Sequence, residues 1–372
     1  MPLSRRSFLQ RAAVGAVAAS LPIDVLLAQT SERRVPKPNG AVRLDANENA
    51  YGPPESVANV LREALTQGNR YPLREYDEFV ERVAALHGVA TNQVLAGCGS
   101  TEVLRICPDA FLGRGKKLIM AAPTFEAIEY YARAQNADVV KIPLAKNFSH
   151  DLDAMLARTD ANTGLIYICN PNNPTASLTP RKDLDAFIAK LPASTYVLMD
   201  EAYHHFATDT PEYISFLEKP VNDPRVIVAR TFSKIYGMAG IRLGYAVAAP
   251  ETAQKLRPCQ LLDNVNILAA LGGIAALADP EAMHAASARN RRDREEFMRQ
   301  ATARKLAPIP SYANFFMMDT GRPIRQVIEH FKQNNVLVGR RFPPLETYMR
   351  VSLGLPEEMK EFWRVWELMP KA

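Results

Sequence analysis

The stretch Val226–Tyr245, VIVARTFSKIYGMAGIRLGY, limits what this chain can fold into more than any other part of it. Val226–Ala229 is apolar, β-branched and bounded by polar residues, which predicts a buried strand. Arg230–Lys234 then leaves the strand as a polar loop, so Lys234 projects where a strand ends. Gly237, Ala239 and Gly240 let backbone approach backbone, and Arg242 precedes a second apolar strand, Leu243–Ala249. An amine at a strand end, with hydroxyls at Thr231 and Ser233 and a cation at Arg242, suits a phosphorylated aldehyde. The amine can form a Schiff base while Thr231, Ser233 and Arg242 hold the phosphate. Taken alone, the stretch equally suits a solvated lysine in a basic turn, so the rest of the chain decides.

With 372 residues there is enough chain for a large core in two lobes. Short apolar strands at Lys117–Ala121, Val139–Ile142, Leu165–Cys169 and Tyr196–Met199 alternate with helical patterns such as Glu126–Asn136 and Asp151–Ala157. That alternation predicts an α/β fold with a doubly wound, mostly parallel sheet, in which ligands sit beyond the carboxyl ends of the strands. Two motifs stand at such ends. Asn170–Thr175, NPNNPT, offers the amide of Asn173, and Asp200–Tyr203, DEAY, offers a carboxylate and a phenol. A carboxylate beside a pyridine nitrogen keeps it protonated and makes the ring an electron sink, while Asn173 and Tyr203 can donate to a ring oxygen.

Gly97–Glu102, GCGSTE, follows the apolar Val94–Ala96 and opens a helical pattern. Free N–H groups there suit a phosphate, although the same turn also serves as an ordinary cap. Phe125, between a strand and a helix, can stack on a planar ring or pack in a core. Arg70–Tyr71–Pro72 makes an exposed corner between two amphipathic helices. Beyond Ala249 long helices lead to short strands at Asn314–Met318, Val336–Val338 and Tyr348–Leu353, a smaller C-terminal lobe carrying Asn314 and Arg350.

Near the start, Ser4–Gln10 (SRRSFLQ) is followed by the apolar Ala12–Leu21 and a small-residue site near Ala28. This is an export pattern, and Arg5–Arg6 before Phe8–Leu9 resembles a twin-arginine signal. Pro22 and Asp24 interrupt an apolar run already too short to span a bilayer. The expected location is periplasmic or exported, or cytoplasmic if the signal is not used. The net charge of +5 falls to +3 without this leader, and Arg289–Arg299 mixes both signs, so nothing points to nucleic acid. Four cysteines without a CxxC pair, and six histidines without ligand spacing, point to neither a disulfide scaffold nor a metal site.

In order and spacing these motifs resemble the class I/II, fold-type I pyridoxal-phosphate aminotransferases, most closely the histidinol-phosphate aminotransferase branch, from about Leu44 to the C-terminal helix. The resemblance implies the aspartate aminotransferase-like fold. Its domains would be an export signal at 1–28, an arm and part of the small domain at 29–64, a large cofactor domain at 65–252 and a small domain at 253–372. It implies pyridoxal 5′-phosphate joined to Lys234, with Asp200 at the ring nitrogen and Asn173 and Tyr203 at the ring oxygen. Ser100, Thr101, Ser233 and Arg242 hold the phosphate, and Phe125 stands where the family has a stacking tyrosine. Tyr71 matches a tyrosine that reaches the neighbouring subunit's cofactor, implying a homodimer. Arg350, with Asn314, falls to the substrate's anionic group, in a transamination between a small amino donor and an α-keto acid.

Two departures stand out. Ala176 follows NPNNPT where the family has glycine, and Gly339 takes the place of a family arginine, with Arg340 and Arg341 next. Two rivals remain at this point: a lyase resembling threonine-phosphate decarboxylase, and a non-catalytic ligand-binding protein.

Overall fold

The computed structural model describes residues 40–218 and 223–370, and the expected export signal lies outside them. Eleven strands occur among the described residues: β1 Val42–Leu44, β2 Val94–Cys98, β3 Lys117–Ala122, β4 Asp138–Pro143, β5 Thr163–Cys169, β6 Tyr196–Asp200, β7 Val226–Thr231, β8 Leu243–Ala248, β9 Phe315–Asp319, β10 Val336–Val338 and β11 Tyr348–Ser352. Seven form one sheet in the order β2-β8-β7-β6-β5-β3-β4, parallel from β7 to β4, with β8 antiparallel to both its neighbours.

Strict alternation divides the sheet's side chains between two cores. In β5, Leu165, Tyr167 and Cys169 pack with Val103, Leu104 and Ile106 of the helix Ser100–Phe111. Ile166 and Ile168, between them, join Leu184, Phe187 and Phe79 on the other face. Both faces being covered, β5 is buried throughout, which is why it reads as an unbroken apolar run.

The helix Leu73–His87 follows the same logic. It buries Phe79, Val80, Val83 and Ala84 and stops at Gly88, whose left-handed φ of 62° lets its N–H reach back to Ala84 O. A third core, with Phe297, Phe316, Phe331, Phe362 and Trp363, lies under the antiparallel pair β9–β11. Leu44 joins that core because β1 pairs in parallel with β10.

Two expectations change. Arg230 is not in a loop: it lies in β7, buried, with Nε 2.9 Å from Glu201 Oε2 and Nη2 donating to Ser215 Oγ at 2.7 Å. A buried guanidinium persists only when paired, and its partner comes from a distant part of the sequence. The helix Ile267–Leu277, assigned from sequence to the small domain, instead shares the core of the large sheet through Ala269, Ala270 and Ala276. Val42–Ala372 clusters as a single unit. We therefore keep the division into a large domain at 65–252 and a small one at 253–372 as a proposal.

Candidate active site

Three adjacent parallel strands end together, Cys169 lying opposite Asp200 and Asp200 opposite Ala229. Each strand delivers a functional group within a few residues of its end: Asn173 after β5, Asp200 and Tyr203 at β6, Lys234 after β7. All four, with Cys169, line one cavity of about 300 Å³.

At one part of this cavity stand Ser100, Thr101, Thr231, Ser233 and Arg242. The helix Ser100–Phe111 opens at Gly99, whose φ of 73° gives a left-handed start with no side-chain cap, so its first N–H groups stay uncovered. A Cβ at Gly99 would lie 2.2 Å from Arg242 Nη2, and one at Gly244 would lie 2.2 Å from Ser100 N. Glycine is what lets β8 and the helix start close together around the guanidinium. Arg242 adopts a left-handed φ of 68° and donates to Ala239 O at 2.8 Å and Ser233 Oγ at 3.3 Å. Among the described residues no carboxylate pairs with it. A cation, uncovered N–H groups and hydroxyls gathered in this way form an anion cradle.

Asp200 is buried and accepts from Tyr167 Oη at 2.8 Å and from the Ala202 N–H at 3.1 Å. Burial raises its pKa, against the pull of Tyr167, Ala202 and Lys234. The hydroxyl of Tyr203 accepts from Asn47 Nδ2 at 3.0 Å, which leaves its own proton free to donate. Asn173 Oδ1 accepts from Arg350 Nη1 at 2.8 Å, which turns its NH₂ toward other partners. Arg350 Nη2 donates to Asp45 O at 2.6 Å, and its Nε has no partner. The guanidinium is buried, and no carboxylate among the described residues forms an ion pair with it. Such a cation is stabilised by a ligand that brings the missing negative charge.

Lys234 Nζ donates to Asn47 O at 3.1 Å. Burial first, and then the neighbouring charge of Arg350, lower its pKa to about 8. The nucleophilic neutral amine therefore predominates above about pH 8 rather than only above the ordinary lysine value. Imine formation with a phosphorylated aromatic aldehyde should accelerate as pH rises to about 8 and level off above it. Stopped-flow absorbance tests this, and a midpoint near the ordinary lysine value would disprove it.

The cavity gathers Ser100, Thr101, Phe125, Asn173, Asp200, Tyr203, Ser233, Lys234, Arg242 and Arg350, which the sequence singled out one by one. Two others lie elsewhere. Tyr71 is 73% exposed and does not line the cavity of its own chain. Asn314 is buried and does not line this cavity; its amide nitrogen donates to Asn47 O and Glu48 O at 3.2 and 3.0 Å, and its Oδ1 has no partner among the described residues. Sequence reading did not single out Asn47, Tyr167 or Phe342, and it named Arg340 with Arg341 without deciding between them; the cavity is lined by Arg340. Asn47 carried a faint signal in the polar LDANENAYGPP, whereas Tyr167 looked like any core aromatic.

A lysine, a carboxylate and an anion cradle at the carboxyl edge of this sheet define a phosphate-anchored carbonyl cofactor enzyme. Residues 39–364 match the model of the family "aminotransferase class I and II". A histidinol-phosphate aminotransferase of Caldicellulosiruptor saccharolyticus is 34% identical over 323 residues, covering 86% of this chain and 89% of that one. An aromatic amino acid aminotransferase of Cutibacterium acnes is also 34% identical, covering 86% and 89%. The structure of histidinol-phosphate aminotransferase from Sinorhizobium meliloti in complex with pyridoxal 5′-phosphate superposes with a TM-score of 0.82 at 27% identity, covering 88% of this chain and 91% of that one.

The chain belongs to the class I and II aminotransferase family. It is a pyridoxal-phosphate-dependent transaminase with the aspartate aminotransferase-like fold. The site fits that cofactor on its own terms: the anion cradle that Gly99 and Gly244 leave room for, Arg242 with no carboxylate partner among the described residues, the buried Asp200 and the Lys234 amine meet at one cavity.

Proposed function

We propose that this transaminase moves an amino group from an anionic amino compound, such as histidinol phosphate or an amino acid, to an α-keto acid. The observation that carries this reading is Arg350, a buried guanidinium without an ion-pair partner among the described residues, lining the same cavity as Lys234. Ser100, Thr101, Ser233 and Arg242 would hold the cofactor's phosphate, and Phe125 would cover the ring. When bound, pyridoxal phosphate supplies an aldehyde that takes up the amino group and a ring that accepts the electron pair released at the substrate carbon.

The protein's own groups do the rest. Lys234 would hold the cofactor's aldehyde carbon, and its buried amine, with its lowered pKa, would be able to carry a proton at the reacting carbon. Asp200, oriented by Tyr167 and the Ala202 N–H, would hold the ring nitrogen with its negative charge. Tyr203 and Asn173, each accepting from a neighbour, would be free to donate to the ring oxygen. Arg350 orients the donor through its anionic group.

Relatives named for histidinol phosphate and for aromatic amino acids match at the same identity, so both substrate types head a donor panel, with glutamate. Conversion of the visible absorption by one of these donors supports the reading, and no conversion by any of them overturns it. Only a transaminase leaves the cofactor in its amine form when the donor is supplied alone, and this separates transamination from decarboxylation. Arg350→Gln should raise the donor KM about ten- to a hundredfold, the loss expected for a charge-assisted hydrogen-bonded pair.

Two further proposals accompany this one. Tyr71 is exposed beside Leu65 and Leu73, also exposed, and Leu262 is 94% exposed, which supports a homodimer with Tyr71 reaching the partner's site. Sedimentation at micromolar concentration should give the dimer, and a monomer there removes this proposal. Arg5–Arg6 and the apolar run after them support export; a double lysine variant that leaves exported activity unchanged counts against the twin-arginine route.

A further inference from the structure

Two buried charges take no direct part in the site. The side chains of Arg230 and Glu201 are 5% and 2% exposed, and neither lines the cavity that holds Lys234. Their chain neighbours Asp200 and Thr231 do line it, so alternation along a strand turns Glu201 and Arg230 to the opposite face of the sheet. There Glu201 Oε1 accepts from the Phe216 N–H at 2.9 Å. Its Oε2 lies 2.9 Å from Arg230 Nε and accepts from Ser215 Oγ at 2.7 Å, and that hydroxyl in turn accepts from Arg230 Nη2. Taking two charges out of water is costly, and apolar residues in their place often leave a protein as stable or more so. Stability alone gives no reason for this pair.

Its place in the sheet gives one. The β6–β7 ladder ends where Asp200 lies opposite Ala229, and Glu201 and Arg230 are the next residue on each chain segment. β6 carries Asp200, whereas Thr231 ends β7 and Ser233 and Lys234 follow directly after it. The carboxylate for a ring nitrogen and the groups for an aldehyde and a phosphate thus come from different strands. The buried pair joins the ends of those two strands from behind.

We propose that Glu201 and Arg230 are positioning residues, which fix Asp200 on β6 relative to Lys234 and the anion cradle so that one ring can meet both. This rests on Asp200 being the partner of the cofactor's ring nitrogen. Neither residue touches the cofactor, and both act through the spacing of the strand ends.

The test uses the full-length apoprotein and two ligands that undergo no turnover, with affinities from calorimetry. Pyridoxamine phosphate would reach the cradle and Asp200 at once, whereas inorganic phosphate needs the cradle alone. The variant Glu201→Gln/Arg230→Met removes both charges together and keeps an acceptor for the Phe216 N–H. It should melt close to the parent and bind inorganic phosphate as the parent does, but bind pyridoxamine phosphate about tenfold or more weakly, the loss expected when a charge-assisted hydrogen bond is misaligned. Arg230→Lys, which keeps the cation, should recover part of that loss. Parent-like binding of pyridoxamine phosphate by the neutral variant, an equal loss for both ligands, or a neutral variant that does not fold would each overturn the proposal, the last because the pair would then be needed for stability. A parent protein that binds no pyridoxamine phosphate would instead remove the reading of the cavity as the cofactor site.

Discussion

Lys234→Ala protein mixed with pyridoxal phosphate should lack the visible absorption that covalent attachment produces, and its turnover should fall by about 10⁴-fold or more, since anchor and proton carrier are lost together. The fold should survive, because the lysine amine makes one hydrogen bond to the protein, to Asn47 O. The cofactor should also still bind reversibly, because Arg242 and the helix start at Ser100 do not depend on the amine. Absorbance before and after dialysis, alongside circular dichroism, reads all three outcomes. An unchanged visible band in the variant would refute the assignment of Lys234 and with it most of the site.

The second large effect is expected at Asp200. Asp200→Asn keeps the shape but removes the charge, and kcat should drop by about 10²- to 10³-fold, as when one preorganised electrostatic group is taken from a transition state. Asp200→Ala should lose as much activity and also melt earlier, because the buried Tyr167 hydroxyl loses its acceptor, at a cost of about 1–3 kcal/mol. Because burial raises the Asp200 pKa, the charge disappears early as pH falls, and cofactor affinity should weaken as pH drops through that raised value. Full activity in Asp200→Asn would show that its charge is not needed.

The groups legible in the sequence are those fixed by short stretches of chain. Asn173, Asp200, Tyr203 and Lys234 each sit at or just past the end of an apolar strand, so the strand pattern and one polar residue were enough to place them at the sheet's edge. Ser100 and Thr101 were legible for the same reason, at a glycine turn opening a helix. What stayed hidden depends on pairing between distant segments. Tyr167 reads as core within LIYIC, and its hydroxyl finds Asp200 only because β5 and β6 align with Cys169 opposite Asp200. Arg230 looked like a loop residue because Glu201 and Ser215, which neutralise and hold it, approach only on folding. Asn314 shows the same dependence, since its amide nitrogen reaches the backbone at 47–48, more than 260 residues earlier in the chain. Gly339 looked like the loss of a cation, and the crowding by Arg350 shows why no side chain fits there.

β1 meets its partner β10 from the far end of the chain, and the residues just after β1, Ala46 and Asn47, form part of the cavity wall. A chain cut before 336 can complete the central sheet and hold Asn47 through Tyr203 and Asn314, yet it leaves β1 without the strand it pairs with. The wall beside the cofactor cavity is thus braced by a strand from the chain's far end, and such long-range pairing forms late because its loop-closure cost is paid before its contacts reward it.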